Sequence, residues 1–266
     1  MIDQQAGTST GTISVTSTGT KATRALGIVC LAGTALLVFL GLVGTPEDEV
    51  QRDTVRILYI HAPAAWVAYL AFGVTALASV LYLWKRTRSL TWDRLAGASA
   101  EIGVLFTAVT LATGMIWGHL SWGVYWTWDA RLTTTALLFV LFLGYLALRR
   151  MPAEPEVRAK RAAILGIIAF IDVPIVHQSV EWWRTLHQDA TVLRRDLQVQ
   201  IEGIMLFTLF LGFVVFTLIY AWLLLHRTRI AVMEDALDEH GLELALEERR
   251  AEGVEAVDQS EGLAPA

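Results

Sequence analysis

The sequence predicts an all-α fold, a polytopic membrane protein built as a bundle of six transmembrane helices with a tryptophan-rich loop on its outward face. Of the 266 residues, 55% are hydrophobic and 18% are charged, whereas a soluble domain carries about a quarter charged residues. The apolar residues form runs of about 20 residues, each long enough to cross a hydrocarbon core of roughly 30 Å as a helix. The sole cysteine, Cys30, excludes disulfides within the chain and a Cys-x-x-Cys-His cytochrome site.

Six apolar runs define the predicted spans, which cover about residues 25–44, 57–84, 95–117, 132–148, 162–180 and 203–225. The first run has no charged residue, and the second is interrupted only by His61, with Pro63 expected in a first helical turn. The third run contains Glu101 and the fifth contains Asp172. For these two carboxylates a local interhelical hydrogen bond is favoured over a proton pathway.

The distribution of basic residues predicts the orientation of the spans. Thirteen Lys and Arg residues fall in the N-terminal segment, the second and fourth connections and the segment after the last span, against six in the other connections. Because Lys and Arg accumulate in cytoplasmic loops, both termini are expected in the cytoplasm. Segments 45–60, 118–131 and 181–202 are then expected to face outward.

The two ends of the chain differ from the apolar body. Residues 1–24 begin with a stretch rich in Thr, Ser and Gly, which is typical of a disordered segment. Residues 226–266 form an acidic cytoplasmic tail, since 233–266 contains 11 acids and 2 bases. The net charge of −5 is therefore a tail of −9 on a body of +4. A solvated tail is favoured over a docking element.

The densest chemical signal lies between the third and fourth spans, where four of the ten tryptophans cluster: Trp117, Trp122, Trp126 and Trp128. A flat, wide aromatic surface suits a large planar apolar ligand. The alternative is an aromatic belt at the headgroup level, but a belt places one or two aromatic residues at each helix end. If residues 122–129 are helical, Trp122, Trp126 and Asp129 share one face.

Two histidines are predicted at the depth of this loop, His61 at the outward start of the second span and His177 near the outward end of the fifth. Ionisable groups at membrane depth indicate function, and two neutral imidazoles are an ordinary axial pair for haem iron. Zinc is disfavoured because the chain has no further cysteine. His119 and His187 are alternative ligands or exposed residues, and His119 is expected to be exposed.

Three outward arginines are candidates for binding the two carboxylates of such a ligand: Arg56, Arg131 and Arg184. Ordinary solvated charge is the alternative for each, and it is the stronger alternative for Arg56 and Arg184. Asp129 is expected to orient the loop by accepting N–H groups rather than to act as a catalytic acid.

Three motifs together resemble a known family. The loop reads Trp-Gly-x-x-Trp-x-Trp-Asp over residues 122–129, which resembles the signature of the tryptophan-rich haem-handling proteins of cytochrome c maturation. Haem lyases of that group usually continue Trp-Asp-Pro-x-Glu, whereas this chain continues Trp-Asp-Ala-Arg-Leu-Thr. With Tyr-Ile-His-x-Pro-Ala-Ala at 59–65 and the segment 173–188, the chain is most similar to the haem exporter protein C branch over residues 25–225.

The resemblance implies a bacterial inner-membrane protein, not an enzyme, that holds haem b at its periplasmic face. By this resemblance His61 and His177 match the axial ligand positions, and the tryptophan-rich periplasmic loop over 122–129 matches the haem platform. The implied partners are a periplasmic haem chaperone, the ATPase and membrane subunits of an ABC transporter, a small membrane subunit and the lipid bilayer, with no nucleic acid. A membrane-anchored electron-transfer cytochrome b is the alternative.

Overall fold

The computed structural model describes residues 18–183, 185–187 and 201–261, and the regular elements in these ranges are helices. Helix α1, Lys21–Phe39, ends in a π-helical turn, Leu40–Gly44, and a 3₁₀ turn, Asp53–Ile57, leads into α2, Leu58–Leu83. The others are α3, Leu90–Trp122; α4, Ala130–Arg149; α5, Pro155–Phe170; α6, Asp172–Trp182; and α7, Gly203–Glu261. Six segments in these ranges are long and apolar enough to cross a membrane: Lys21–Gly44, Asp53–Leu83, Leu90–Trp122, Ala130–Arg149, Pro155–Trp182 and Gly203–Gly241. The predicted six-span all-α fold is confirmed.

Polar caps set several helix ends and extend the helices beyond the predicted spans. The Thr20 side chain accepts from the backbone N–H of Thr23 at 3.2 Å, so α1 begins at Lys21. Residues 21–24, predicted as disordered, are therefore helical, whereas 1–17 lie outside the described residues. Helix α3 ends where Gly123 adopts a φ of 76°, a left-handed conformation that glycine adopts without a steric penalty.

The centre of the bundle is built on close packing between α2, α3, α4 and α5. Helix α2 packs along α3 and α5, and α4 packs against α3, α5 and α6. Phe72 of α2 stacks on Phe142 of α4 with ring centres 3.7 Å apart. A Cβ atom at Gly103 would lie 2.5 Å from Cε1 of Phe72, so only glycine fits there. Small residues that let helix backbones approach are the usual basis of packing in lipid.

The fifth predicted span is interrupted by a helix break. Helix α5 ends at Phe170 and α6 begins at Asp172. Pro174 explains the break, because a proline has no N–H to offer the carbonyl four residues earlier, here that of Phe170, and its ring clashes with that carbonyl. Within this span α6 is thus a separate segment, and it carries His177.

A second proline lies inside α2 rather than in a first helical turn as predicted. Since α2 begins at Leu58 after a 3₁₀ turn, Pro63 leaves the Tyr59 carbonyl without its helical donor. Gly212 of α7 lies against this position. A Cβ atom there would lie 3.2 Å from the Tyr59 oxygen and 2.9 Å from Cγ of Pro63.

Among the described residues of the bundle, ion pairs connect α3 with α7 and α3 with α4. Glu101 of α3 accepts from Arg227 of α7, with 3.0 Å between Oε1 and Nη2, which confirms the expected interhelical hydrogen bond. Asp93 and Arg149 form a two-pronged pair, with 2.9 Å between Oδ2 and Nη2. Asp172 departs from the expectation, because its buried Oδ2 has no hydrogen-bond partner among the described residues.

The bundle unit extends over Gly19–Thr228, and a second unit begins at Arg229. The part of the predicted acidic tail that the structure describes belongs to α7, which continues to Glu261. Its Leu237, Leu244 and Leu246 are exposed.

Candidate functional site

One end of the bundle, here called the loop end because it carries the 123–129 loop, contains a cavity of about 480 Å³. This volume falls within the range of small-molecule and cofactor sites. Its walls come from α2, α3, α4, α6 and α7, from residues 50–51 before the 3₁₀ turn, and from the segment after α6. The lining is largely apolar and aromatic, and it includes three histidines and one arginine: His61, His177, His187 and Arg131.

Helix α3 holds the ring of His61. Nδ1 of His61 lies 3.0 Å from the Thr113 hydroxyl, and the Trp117 ring packs edge-on at 5.6 Å between ring centres. A Cβ atom at Gly114 would lie 3.1 Å from Cε1 of His61. His61 therefore reaches into the cavity from α2 while α3 fixes its ring.

The structure brings His61 together with His187. Their ring centres are 6.4 Å apart and their planes differ by 34°. His177 also lines the cavity, but its ring lies 6.4 Å from that of Tyr69, edge-on. No ring contact joins His61 to His177 among the described residues. The geometry therefore favours the pairing with His187, which the sequence left as an alternative, over the predicted pairing with His177.

The four clustered tryptophans divide into two groups. Trp117 and Trp122 belong to α3 and line the cavity, and Trp117 donates from Nε1 to the side chain of Gln51 at 3.0 Å. Trp126 and Trp128 lie outside the cavity lining and pack against each other edge-on at 5.7 Å. Trp128 is 84% exposed.

The idea that residues 122–129 form a helix with Trp122, Trp126 and Asp129 on one face is wrong. Helix α3 ends at Trp122, and the loop that follows is not helical up to the first residue of α4. Its start is held by His119, whose ring stacks on that of Tyr125 at 4.0 Å. His119 is exposed, as expected.

Asp129 connects the loop to two other segments. Its Oδ1 accepts from the backbone N–H of Arg131 at 2.9 Å and caps α4, and its Oδ2 accepts from the N–H of Leu186 at 2.9 Å. Burial raises the pKa of Asp129, but hydrogen bonds from Thr185 and from backbone N–H groups outweigh it and hold the pKa below its usual value. The carboxylate thereby places the residues next to His187.

The three predicted arginines have different positions. Arg131 lines the cavity and donates from Nη2 to the His177 carbonyl at 2.8 Å. It is the one charged side chain among the described lining residues, histidines aside. Arg56 lies elsewhere and donates to the Gly41 carbonyl and to Asp53, each at 2.8 Å. Arg184 lies outside the described residues.

Apart from Trp117 and Trp122, sequence reasoning missed the α3 side of the cavity. Thr107, Thr110, Gly114, Trp117 and Ser121 line it, and their spacing of three or four residues places them on one helix face. Apart from Trp117 they are small or hydroxylated, so hydrophobic periodicity does not single them out. The available signal was a small and polar stripe inside an apolar span.

A six-span bundle with a histidine-containing aromatic cavity at one end defines the class of the molecule, an integral membrane protein with a cavity of cofactor size. The family model described as heme exporter protein C matches residues 8–242. The chain is 38% identical to heme exporter protein C of Bradyrhizobium diazoefficiens over 206 residues, 76% of this chain and 77% of the relative. It is 40% identical to that of Haemophilus influenzae, over 73% and 78% of the two chains.

A further relative is the putative cytochrome c biosynthesis ccmC-like mitochondrial protein of Arabidopsis thaliana, 35% identical over 75% of this chain and 74% of the relative. The chain belongs to the heme exporter protein C family. Members of this family are membrane components of a haem delivery system in cytochrome c biogenesis and not enzymes.

Proposed function

We propose that the chain binds haem b in the loop-end cavity and delivers it during cytochrome c maturation. The observation that carries this proposal is the pair of imidazoles facing one cavity, with ring centres 6.4 Å apart. Neutral imidazole nitrogens are common ligands of iron. Two imidazoles in ring contact at one cavity are therefore a donor set that fits haem iron.

In this proposal His61 and His187 would hold the haem iron, and His177 is the alternative second ligand. Trp117 and Trp122 would supply aromatic surface for the porphyrin, since both line the cavity. Arg131 binds a propionate, because it is the charged group in the described lining and a guanidinium matches a carboxylate.

The other predicted site residues have supporting roles in the proposal. Arg56 holds the 3₁₀ turn against the π-helical turn through the Gly41 carbonyl and is itself fixed by Asp53, and Asp129 holds the loop. Trp126 and Trp128, which lie outside the cavity, form the surface that meets the acceptor of the haem.

The acceptor we propose is a periplasmic haem chaperone, and the energy for its release comes from the ATPase of an associated ABC transporter with its membrane subunits and a small membrane subunit. The sequence contains no Walker motif, which supports a separate ATPase. The loop end then faces the periplasm, and both termini are in the cytoplasm of a bacterial inner-membrane protein.

Glycine substitution of each histidine tests the ligands. His61→Gly and His187→Gly are expected to lose bound haem on purification and to recover it when imidazole is added, because free imidazole refills the vacated position. The measurement is the absorption spectrum of the purified oxidised and reduced protein. His119→Gly is the matched control, since His119 is exposed and outside the cavity lining. Unchanged spectra in both ligand variants would contradict the assignment.

Transfer to a purified apo-chaperone tests delivery. Haem is expected to move to the chaperone when the transporter complex and ATP are present. Retention of all haem under every redox condition would instead favour a membrane-anchored electron-transfer cytochrome b.

A further inference from the structure

We propose that Thr113 and Gly114 of α3 are positioning residues that set the tautomer and the position of the His61 ring. This inference rests on the proposed function for its consequence, since it concerns how the cavity presents a nitrogen to haem iron. Its structural part concerns the haem-free protein alone. The group of Thr113, Gly114 and Trp117 is called the His61 seat below.

The hydrogen bonds of Thr113 decide whether its hydroxyl donates to Nδ1 of His61 or accepts from it. The single O–H of Thr113 has the Val109 carbonyl oxygen at 2.8 Å and the Thr110 carbonyl oxygen at 3.2 Å as acceptors. A hydroxyl has one proton to donate and lone pairs left to accept with. The Thr113 oxygen, 3.0 Å from Nδ1 of His61, is therefore the acceptor, and Nδ1 carries the proton.

The tautomer decides which ring nitrogen is left to bind a metal ion. With the proton on Nδ1, the lone pair of the neutral ring is on Nε2. In a metal-binding histidine, the ring nitrogen that does not bind the metal commonly donates a hydrogen bond of this kind, which fixes the tautomer.

The other two members of the seat restrict where the ring lies. A Cβ atom at Gly114 would lie 3.1 Å from Cε1 of His61, tighter than ordinary van der Waals contact, so a side chain there displaces the ring. Trp117 packs edge-on against it and is itself fixed by a 3.0 Å bond to Gln51. The ring is therefore confined on the α3 side.

The tautomer is measured in the haem-free protein. Nitrogen-15 NMR of side-chain-labelled histidine, with His61→Gln to assign the signal, is expected to show Nδ1 protonated and Nε2 unprotonated in His61. Thr113→Val, which keeps the shape and removes the acceptor, is expected to shift His61 toward the other tautomer, and Thr113→Ser is expected to restore the original signal. An Nε2-protonated His61 in the unsubstituted protein would overturn the proposal.

Haem binding measures the consequence. Thr113→Val is expected to lower haem affinity about 10-fold or more, the usual effect of losing such a contact, while Thr113→Ser retains it. Thr208→Val is the matched control, because Thr208 is a buried threonine outside the cavity lining whose hydroxyl likewise bonds the carbonyl four residues earlier. Equal affinities in the Thr113→Val and Thr208→Val variants would overturn the positioning role.

Gly114→Ala is expected to lower haem affinity as well and to change the spectrum or reduction potential of the haem that remains. Its control is Gly144→Ala, since a Cβ atom at Gly144 meets no atom within 4 Å. An unchanged affinity and potential in Gly114→Ala would overturn the role of Gly114. If the unsubstituted protein binds no haem while its tautomer is as expected, the proposed function fails and the tautomer assignment stands.

Discussion

At the scale of single residues, the sequence predicted how far along its helix a side chain lies, but not which neighbouring side chain it faces. The sequence placed His61, His177 and His187 on the outward side, because span limits fix how far along a helix a residue lies. Which of them meet depends on helix rotation and on a contact between distant segments. The N–H of Leu186 bonds Asp129, and no sequence pattern indicates that this bond brings His187 toward His61.

Asp129 variants test this contact. Asp129→Asn is expected to keep the cap of α4, since Asn is a good N-cap residue. It is expected to lose the second carboxylate oxygen, which accepts from the Leu186 N–H. Asp129→Ala is expected to lose both and to cost about 1 kcal/mol for the cap alone. Amide hydrogen exchange at Leu186 and His187 measures the contact, and Glu47→Gln, which replaces an exposed carboxylate, is the control. Unchanged exchange in both Asp129 variants would contradict the contact.

Acidification is expected to have the same effect as the Asn variant. The folded pKa of Asp129 lies below its usual value, so its ionised state stabilises the loop at neutral pH. That contribution is lost as pH falls below about 4 through the lowered folded pKa, and raising pH above neutrality changes nothing. The carboxyl carbon-13 shift of Asp129 against pH reports the titration. A midpoint above that of an unfolded Asp would refute the sign.

At the scale of elements, five of the six predicted spans are unbroken helices in their apolar part. The exception is the span predicted at residues 162–180, which is divided between α5 and α6. The length and hydropathy of an apolar run predict that a segment crosses the membrane, but not whether it does so as one unbroken helix. The break between Phe170 and Asp172 follows from the chemistry of Pro174, and a single proline does not alter mean hydropathy enough to reveal it. The break matters because α6 carries His177 to the cavity.

Pro174→Ala is expected to join α5 and α6 into one helix, because an N–H at 174 restores the bond to the Phe170 carbonyl. Because Pro174 is the third residue of α6, where a proline is tolerated, the gain in stability is expected to be well below the roughly 3 kcal/mol of an interior proline, and His177 is expected to move in the cavity wall. Amide exchange over residues 170–178 measures the change. Pro155→Ala is the matched control, since Pro155 stands at the start of α5, where proline is tolerated. Equal exchange in both variants would contradict this explanation of the break.

At the scale of the whole molecule, the six-span fold was predictable because the bilayer itself sets the length and composition of each crossing helix. The cavity was not, since it depends on how five elements pack around one volume. The orientation rests on the distribution of basic residues and is a prediction.

Single cysteines in a Cys30→Ser background test the orientation. Glu49→Cys, on the exposed segment before α2, is expected to react with a membrane-impermeant thiol reagent in intact cells. Met151→Cys, in the exposed connection between α4 and α5, is expected to react only after the cells are opened. Its reaction in opened cells shows that the cysteine is accessible to the reagent. The reverse pattern would invert the topology.

The close approach of Gly212 to Pro63 couples the two positions. A Cβ atom at 212 would lie 2.9 Å from the proline ring and 3.2 Å from the Tyr59 carbonyl oxygen. Because loss of Pro63 removes the nearer of these two contacts, an alanine at 212 is expected to cost less stability in a Pro63→Ala background than on its own. The two positions are therefore expected to be epistatic.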